Sequence, residues 1–128
     1  MSKSTPSPAS GDFSAPVDLA VRLLKERGHL AFDEVAELLK SHGYPVSGEL
    51  SYLYSENTCL MAWLGMSRLF WIVADQLRHH RNVRIERAAH LRPAQYPANL
   101  GLPIARDETG PFTEPHWLPC EFVWRANA

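Results

Sequence analysis

Apolar positions along the chain form blocks separated by glycine, proline and polar residues, and the spacing inside each block predicts an element. From Pro16 to Gly28, "PVDLAVRLLKERG" sets Val17, Ala20, Leu23 and Leu24 at helical spacing, with proline in the first turn and glycine as the stop. "HLAF" leads into a second helix, "DEVAELLKSHG". Its first turn carries Asp33 and Glu34 and its last turn Lys40 and His42, the charge order that a helix dipole favours. Gly43 suits the left-handed residue that closes such a helix. Phe32, Val35, Leu38 and Leu39 form its apolar face.

The next block, "YPVSGELSYLYSEN", carries two periods at once. Ser47 can cap a short helix bearing Leu50, Leu53 and Tyr54, while "LSYLY" also alternates as a strand does; the short helix is the expectation taken here. "TCLMAWL" is a continuous apolar run of strand length, expected to be buried on both sides. "GMS" ends it and offers Ser67 as the cap of "RLFWIVADQLRHH", whose Leu69, Phe70, Val73 and Leu77 share a face. After Asn82, "VRIER" turns Val83 and Ile85 inward and Arg84 and Glu86 outward. The order predicted for residues 16–92 is helix, helix, short helix, strand, helix, strand, with Leu23, Leu38, Leu39, Trp63, Val73 and Leu77 buried together.

The flanks read differently. Residues 1–15 are Ser, Pro and small residues with too few apolar groups to offset the entropy of ordering them, so a disordered tail is expected. Six of the ten prolines fall at 93, 97, 103, 111, 115 and 119, which breaks up long regular elements. Residues 93–128 are therefore expected to form a Pro-rich extended arm packed on the core, anchored by Trp117 and Trp124. "LGLPIA" and "CEFVW" are its candidate short strands.

Composition narrows the class. With 128 residues, 45% of them hydrophobic, the chain fits one small α+β domain. Thirteen Lys and Arg against fourteen Asp and Glu give a net charge of -1, so any attraction to nucleic acid must be local. Cys59 and Cys120 have no metal-like spacing and are expected to be two buried, reduced thiols. The first residues lack an apolar signal core, and no run reaches the ~18 apolar residues of a membrane span. A cytoplasmic setting with no membrane partner is expected.

The stretch "VDLAVRLLKERGHLAFDEVAELLKSHGYPVSGEL", residues 17–50, resembles the winged-helix class of helix-turn-helix proteins: first helix, short strand, second helix, and a turn toward a third. The resemblance implies a winged-helix-like domain and DNA as a partner, with the third helix in the major groove. In this chain that helix would fall on Ser47 to Ser55, and "SGELSYLYS" holds no Lys or Arg for phosphate or guanine contacts.

Positive charge gathers instead in "DQLRHHRNVRIERAAHLR". Arg78, Arg81, Arg84 and Arg87 recur every third residue, and guanidinium groups engage phosphates through paired donors. These four are the candidate nucleic-acid-binding residues. A solvated helix end and strand face would look the same. His79 and His80 point two ways around a helix, and Pro119 breaks the His116/Cys120 spacing, so no metal or cofactor is expected. No nucleotide loop, nucleophile elbow or HExxH motif is present, and Asp33, Glu34 and Glu37 serve as helix-start charges, so catalysis is not expected. Two functions follow: a small regulatory protein that contacts nucleic acid through the arginines, or an interaction adaptor or assembly subunit whose Tyr52, Tyr54, Trp71 and Trp117 anchor another protein.

Overall fold

The computed structural model describes residues 13–54, 59–88, 102–105 and 114–125. The expected tail before Phe13 and most of the proline-rich path lie outside these residues. Helix α1 (Ser14–Arg27) ends where Gly28, at φ 90°, donates its N–H to the Leu24 carbonyl. Strand β1 (His29–Ala31) follows at once and runs into α2 (Phe32–Ser41). There the Glu34 carboxylate accepts the Ala31 N–H at 2.9 Å, returning from the first turn to the residue that starts the helix. Gly43 adopts the left-handed conformation expected of it.

The predicted short helix at Ser47 to Ser55 is corrected to a strand, β2 (Ser47–Leu53), antiparallel to β3 (Leu60–Met66). Ser47 caps nothing there, because the long apolar run of β3 needs a hydrogen-bonded neighbour, and pairing across the hairpin outweighs a local cap. Gly48 is part of the reason: a Cβ at this position would lie 2.5 Å from the Met66 carbonyl oxygen, so only glycine lets the start of β2 press against the end of β3. Ser67 does act as predicted. Its hydroxyl accepts the Phe70 N–H at the start of α3 (Arg68–Arg78) and donates to the Pro45 carbonyl.

Strand β4 (Val83–Arg87) follows α3, and the described C-terminal residues supply β5 (His116–Trp117) and β6 (Cys120–Trp124). Among the described residues these form two three-stranded sheets. One has the order β1-β6-β4 and is antiparallel throughout; the other has the order β2-β3-β5, with β5 parallel to β3. "CEFVW" is thus the central strand of the first sheet. Only Leu118 and Pro119 separate it from β5 in the second, so Trp117 and Phe122 pin the two sheets from adjacent turns of one chain.

The core is centred on Phe32, fully buried, whose ring lies 5.9 Å from Trp63, 5.9 Å from Tyr52, 6.5 Å from Phe70 and 4.7 Å from Phe122. Leu39, Trp63, Val73 and Leu77 are buried as expected. Leu23 and Leu38 are only half-buried, because each helix turns the neighbouring positions, Leu24, Val35 and Leu39, fully inward. Trp117 is fully buried and donates its indole N–H to the Ala62 carbonyl, while Trp124 is half-buried beside the His80 ring. Among the described residues, no helix is long and apolar enough to cross a membrane.

Replacing Phe32 with Ala removes the ring shared by α2, α3 and both sheets, and is expected to cost about 3–5 kcal/mol in urea unfolding. Gly48→Ala is expected to destabilise by on the order of 1–3 kcal/mol, since its Cβ meets backbone that cannot rotate away.

Candidate functional site

Helix α3 presents two faces besides its buried one. Trp71, Asp75 and Arg78, spaced at four and three residues, point along β2. They make a groove of about 540 Å³ lined also by Ser51, Tyr54 and His79. Tyr52 forms its floor and is the one buried residue of β2. Its hydroxyl donates to the Asp75 carboxylate at 2.7 Å, and its ring lies 5.3 Å from that of Trp71. Burial first, and then the Asp75 carboxylate that accepts its hydrogen bond and repels a phenolate, hold the Tyr52 phenol far above the usual tyrosine range; the nearby Arg78 charge opposes this without cancelling it.

Arg78 fills the middle of the groove. Its guanidinium carbon stands 5.7 Å from the Tyr52 ring and 5.6 Å from the Tyr54 ring, and its two terminal nitrogens donate to the Leu53 and Tyr54 carbonyls at 3.0 and 2.6 Å. Trp71 adds an indole N–H to the Ser51 carbonyl at 3.1 Å. His79 bonds through Nδ1 to the Asp75 carbonyl and lies 3.4 Å from the Asp75 carboxylate. The groove therefore couples a phenol, a carboxylate, a guanidinium and an indole into one network with β2.

The four sequence-predicted arginines are not brought onto one surface. Arg78 is half-buried and held against β2. Arg81 is exposed in the turn after α3. Arg84 and Arg87 are exposed on β4 but lie three residues apart in a regularly paired strand, so they leave its two faces. Arg84 shares the outer face with Glu86, which pairs with Arg125. Arg87 stands opposite Cys120, at the end of the row that faces the core.

The second face of α3 was not singled out from the sequence. Arg68, Gln76 and His79 are exposed and Ile72 is half-buried, and all four fall on one ridge turned away from Phe70, Val73, Ala74 and Leu77. Its signal in the sequence is the polar remainder of the helix period, which the denser arginine run after it outweighs. Of the four aromatic anchors, Tyr52 and Trp117 are buried in the core, and Tyr54 and Trp71 line the groove.

The remaining candidates are separated. His79 turns to Asp75, while His80 accepts the Asn82 N–H and packs 5.2 Å from Trp124. His116 and Cys120 lie on different strands, and among the described residues no three His, Cys, Asp or Glu side chains gather as a ligand set. Neither cysteine is in a disulfide; Cys120 is buried with its thiol directed at the Leu118 carbonyl, whereas Cys59, just before β3, is only half-buried. Comparison with protein-family models, with curated proteins and with solved structures finds no match.

Tyr52→Phe is expected to cost about 1–3 kcal/mol, because it leaves the Asp75 carboxylate without its phenol donor. The sign of the pH effect follows from the raised phenol. Its contribution is complete below pH ~10, where the unfolded phenol is still protonated, and is lost as the pH rises above that value toward the folded one. Unfolding free energies measured from neutral to alkaline pH should fall more steeply in the parent than in Tyr52→Phe.

Proposed function

We propose that the chain is a small, non-enzymatic nucleic-acid-associated protein of winged-helix type, working in the cytoplasm, in which α3 takes the place of the third helix. The order α1, β1, α2 and then α3, β4, β6 supports this reading, with β4 and β6 adjacent and antiparallel as the strands of a wing and β1 completing their sheet. On this reading, β2 and β3 are a hairpin inserted between the second and third helices. That accounts for the absence of basic residues in 47–55, since these residues belong to the insertion and not to the reading helix.

The observation that carries the proposal is the exposed ridge of α3. Arg68, at the first position of the helix, has paired donors suited to guanine or phosphate; Gln76 has the donor and acceptor suited to adenine; His79 adds a third polar group at the other end. Arg81 and Arg84 follow the helix and would contact phosphate, while Arg78 would act indirectly by fixing α3 against the hairpin. Arg87 remains a peripheral phosphate candidate on the other face of β4.

A protein-interaction role is favoured by a different observation: Leu50 and Leu53 on β2 are 43% and 41% exposed, next to the half-buried Trp71 and Tyr54. Fluorescence anisotropy of a random-sequence duplex, titrated with the full chain at low and physiological salt, separates the two. Binding that weakens steeply with salt is expected, and Arg81→Ala with Arg84→Ala should flatten the salt slope by about one unit per lost phosphate contact. Arg68→Ala with Gln76→Ala should lower affinity while the melting temperature stays close to the parent's. Absence of binding even at low salt would overturn the proposal and leave the adaptor reading.

A further inference from the structure

The groove between α3 and β2 has a volume of about 540 Å³, the size that takes a small molecule. Trp71 and Tyr54, both half-buried, line it with aromatic rings. Asp75 lies one turn along α3 from Trp71 and opens onto the same space, its side chain 32% exposed.

The polar groups of the groove are unequally engaged. The Ser51 carbonyl is taken by the Trp71 indole N–H, and the Leu53 and Tyr54 carbonyls are taken by Arg78. Asp75 is held by one oxygen alone. The Tyr52 hydroxyl donates to Oδ1 and His79 Nδ1 approaches the same atom, while among the described residues no donor reaches Oδ2. Because the Tyr52 phenol stays protonated far above the usual tyrosine range, it fixes the carboxylate's orientation. A charged acceptor with an open oxygen thus faces a cavity walled by flat rings.

That combination selects the ligand. An ionised carboxylate only accepts hydrogen bonds, and its two oxygens together suit a ligand edge with two adjacent donors. Aromatic walls suit a planar ring that can stack on them. A second cation is disfavoured, since Arg78 already places its charge against the Tyr52 and Tyr54 rings. Among the nucleobases, guanine is the neutral ring whose pairing edge sets a ring N–H beside an amino group; adenine and cytosine set a ring acceptor beside theirs. We propose that this groove binds a guanine base, with the ring against Trp71 and Tyr54 and its two donors on the Asp75 carboxylate. The base comes from a free nucleotide or from a single strand, because a duplex hides that edge in its base pairs. The site uses the hairpin side of α3 and does not depend on duplex binding by the Arg68 ridge.

The test is isothermal titration calorimetry of the full chain. The probes are guanosine and inosine 5′-monophosphates, and thymidine pentamers with a central guanine or hypoxanthine. Guanine should bind saturably and about tenfold or more tighter than hypoxanthine, which lacks the amino donor to the carboxylate. Binding of the monophosphate supports a free nucleotide as the source; binding of the guanine pentamer alone supports a single strand. Asp75→Asn keeps an acceptor for Tyr52 but puts an amide donor where Oδ2 stood. It should lose guanine and gain xanthosine 5′-monophosphate, which carries a carbonyl in place of the amino group, a reversal that a merely structural carboxylate would not give. Trp71→Leu should weaken guanine binding by about tenfold or more. If circular dichroism shows that a variant fails to fold, the parent's preference for guanine over hypoxanthine decides, since these ligands differ only in the amino group. The proposal is overturned if neither guanine probe binds, if hypoxanthine binds equally well, or if folded Asp75→Asn keeps the guanine preference.

Discussion

Everything in this fold is arranged around a single ring. Phe32 begins α2 immediately after β1, so the chain passes straight from the first sheet's edge strand into the core, within reach of aromatic rings from β2, β3, α3 and β6. In a chain this small the fraction of surface that folding buries is limited, and a few large side chains supply most of the driving force. Phe32 is the one placed where both sheets and two helices meet. Glu34 fixes its approach by taking the Ala31 N–H, which sets the direction in which the helix leaves the strand. Local capping and global packing thus act on consecutive residues.

The two sheets are coupled by how late the chain returns. β6 enters between β1 and β4, which precede it by many residues, so the first sheet cannot close until Cys120–Trp124 is in place. Contacts of such long sequence separation carry a large loop-closure cost, which the buried Phe122 and Trp117 offset on either side of Leu118 and Pro119. The Pro119 carbonyl accepts the Ala88 N–H, Arg125 donates its N–H to the Asn82 carbonyl, and the Trp124 N–H bonds to the Gly28 carbonyl at the corner after α1. The C-terminal strand is held at both of its ends.

How much of this was legible in the sequence depends on whether a residue's partners were near in the chain. The α1 stop at Gly28, the left-handed Gly43, the Ser67 cap and the alternation of "VRIER" are local physics, and each appears as its residues predict. Strand β2 was not legible. Its residues satisfy a short-helix pattern as well as a strand pattern, and what selects the strand is β3, together with a backbone approach at Gly48 that no periodicity displays. The same holds for the site. Four arginines at every third residue look like one patch, yet the run crosses from helix through turn to strand, and each of these geometries turns successive positions by a different angle. A constant spacing across changing geometry disperses side chains.

Arg78 shows what this dispersal does to the meaning of a charge. At the helix end it has a ready explanation in the dipole, and beside three other arginines a ready explanation in phosphate binding. Its surroundings supply a third: a guanidinium between two tyrosine rings, bonded to two carbonyls at an exposed strand end. The β2–β3 hairpin gives Arg78 that role. Among the described residues, β2 has no strand on its side away from β3, and its main-chain acceptors there are met by donors from α3. Arg is suited to the task, because its planar fork serves two carbonyls at once and its charge does not titrate away. With Arg78 drawn inward to the hairpin side, the adjoining side of α3 keeps Arg68 and Gln76 in solvent, with His79 on the border between the two. The helix is thereby divided into a face that buries, a face that fastens the hairpin and a face left in solvent.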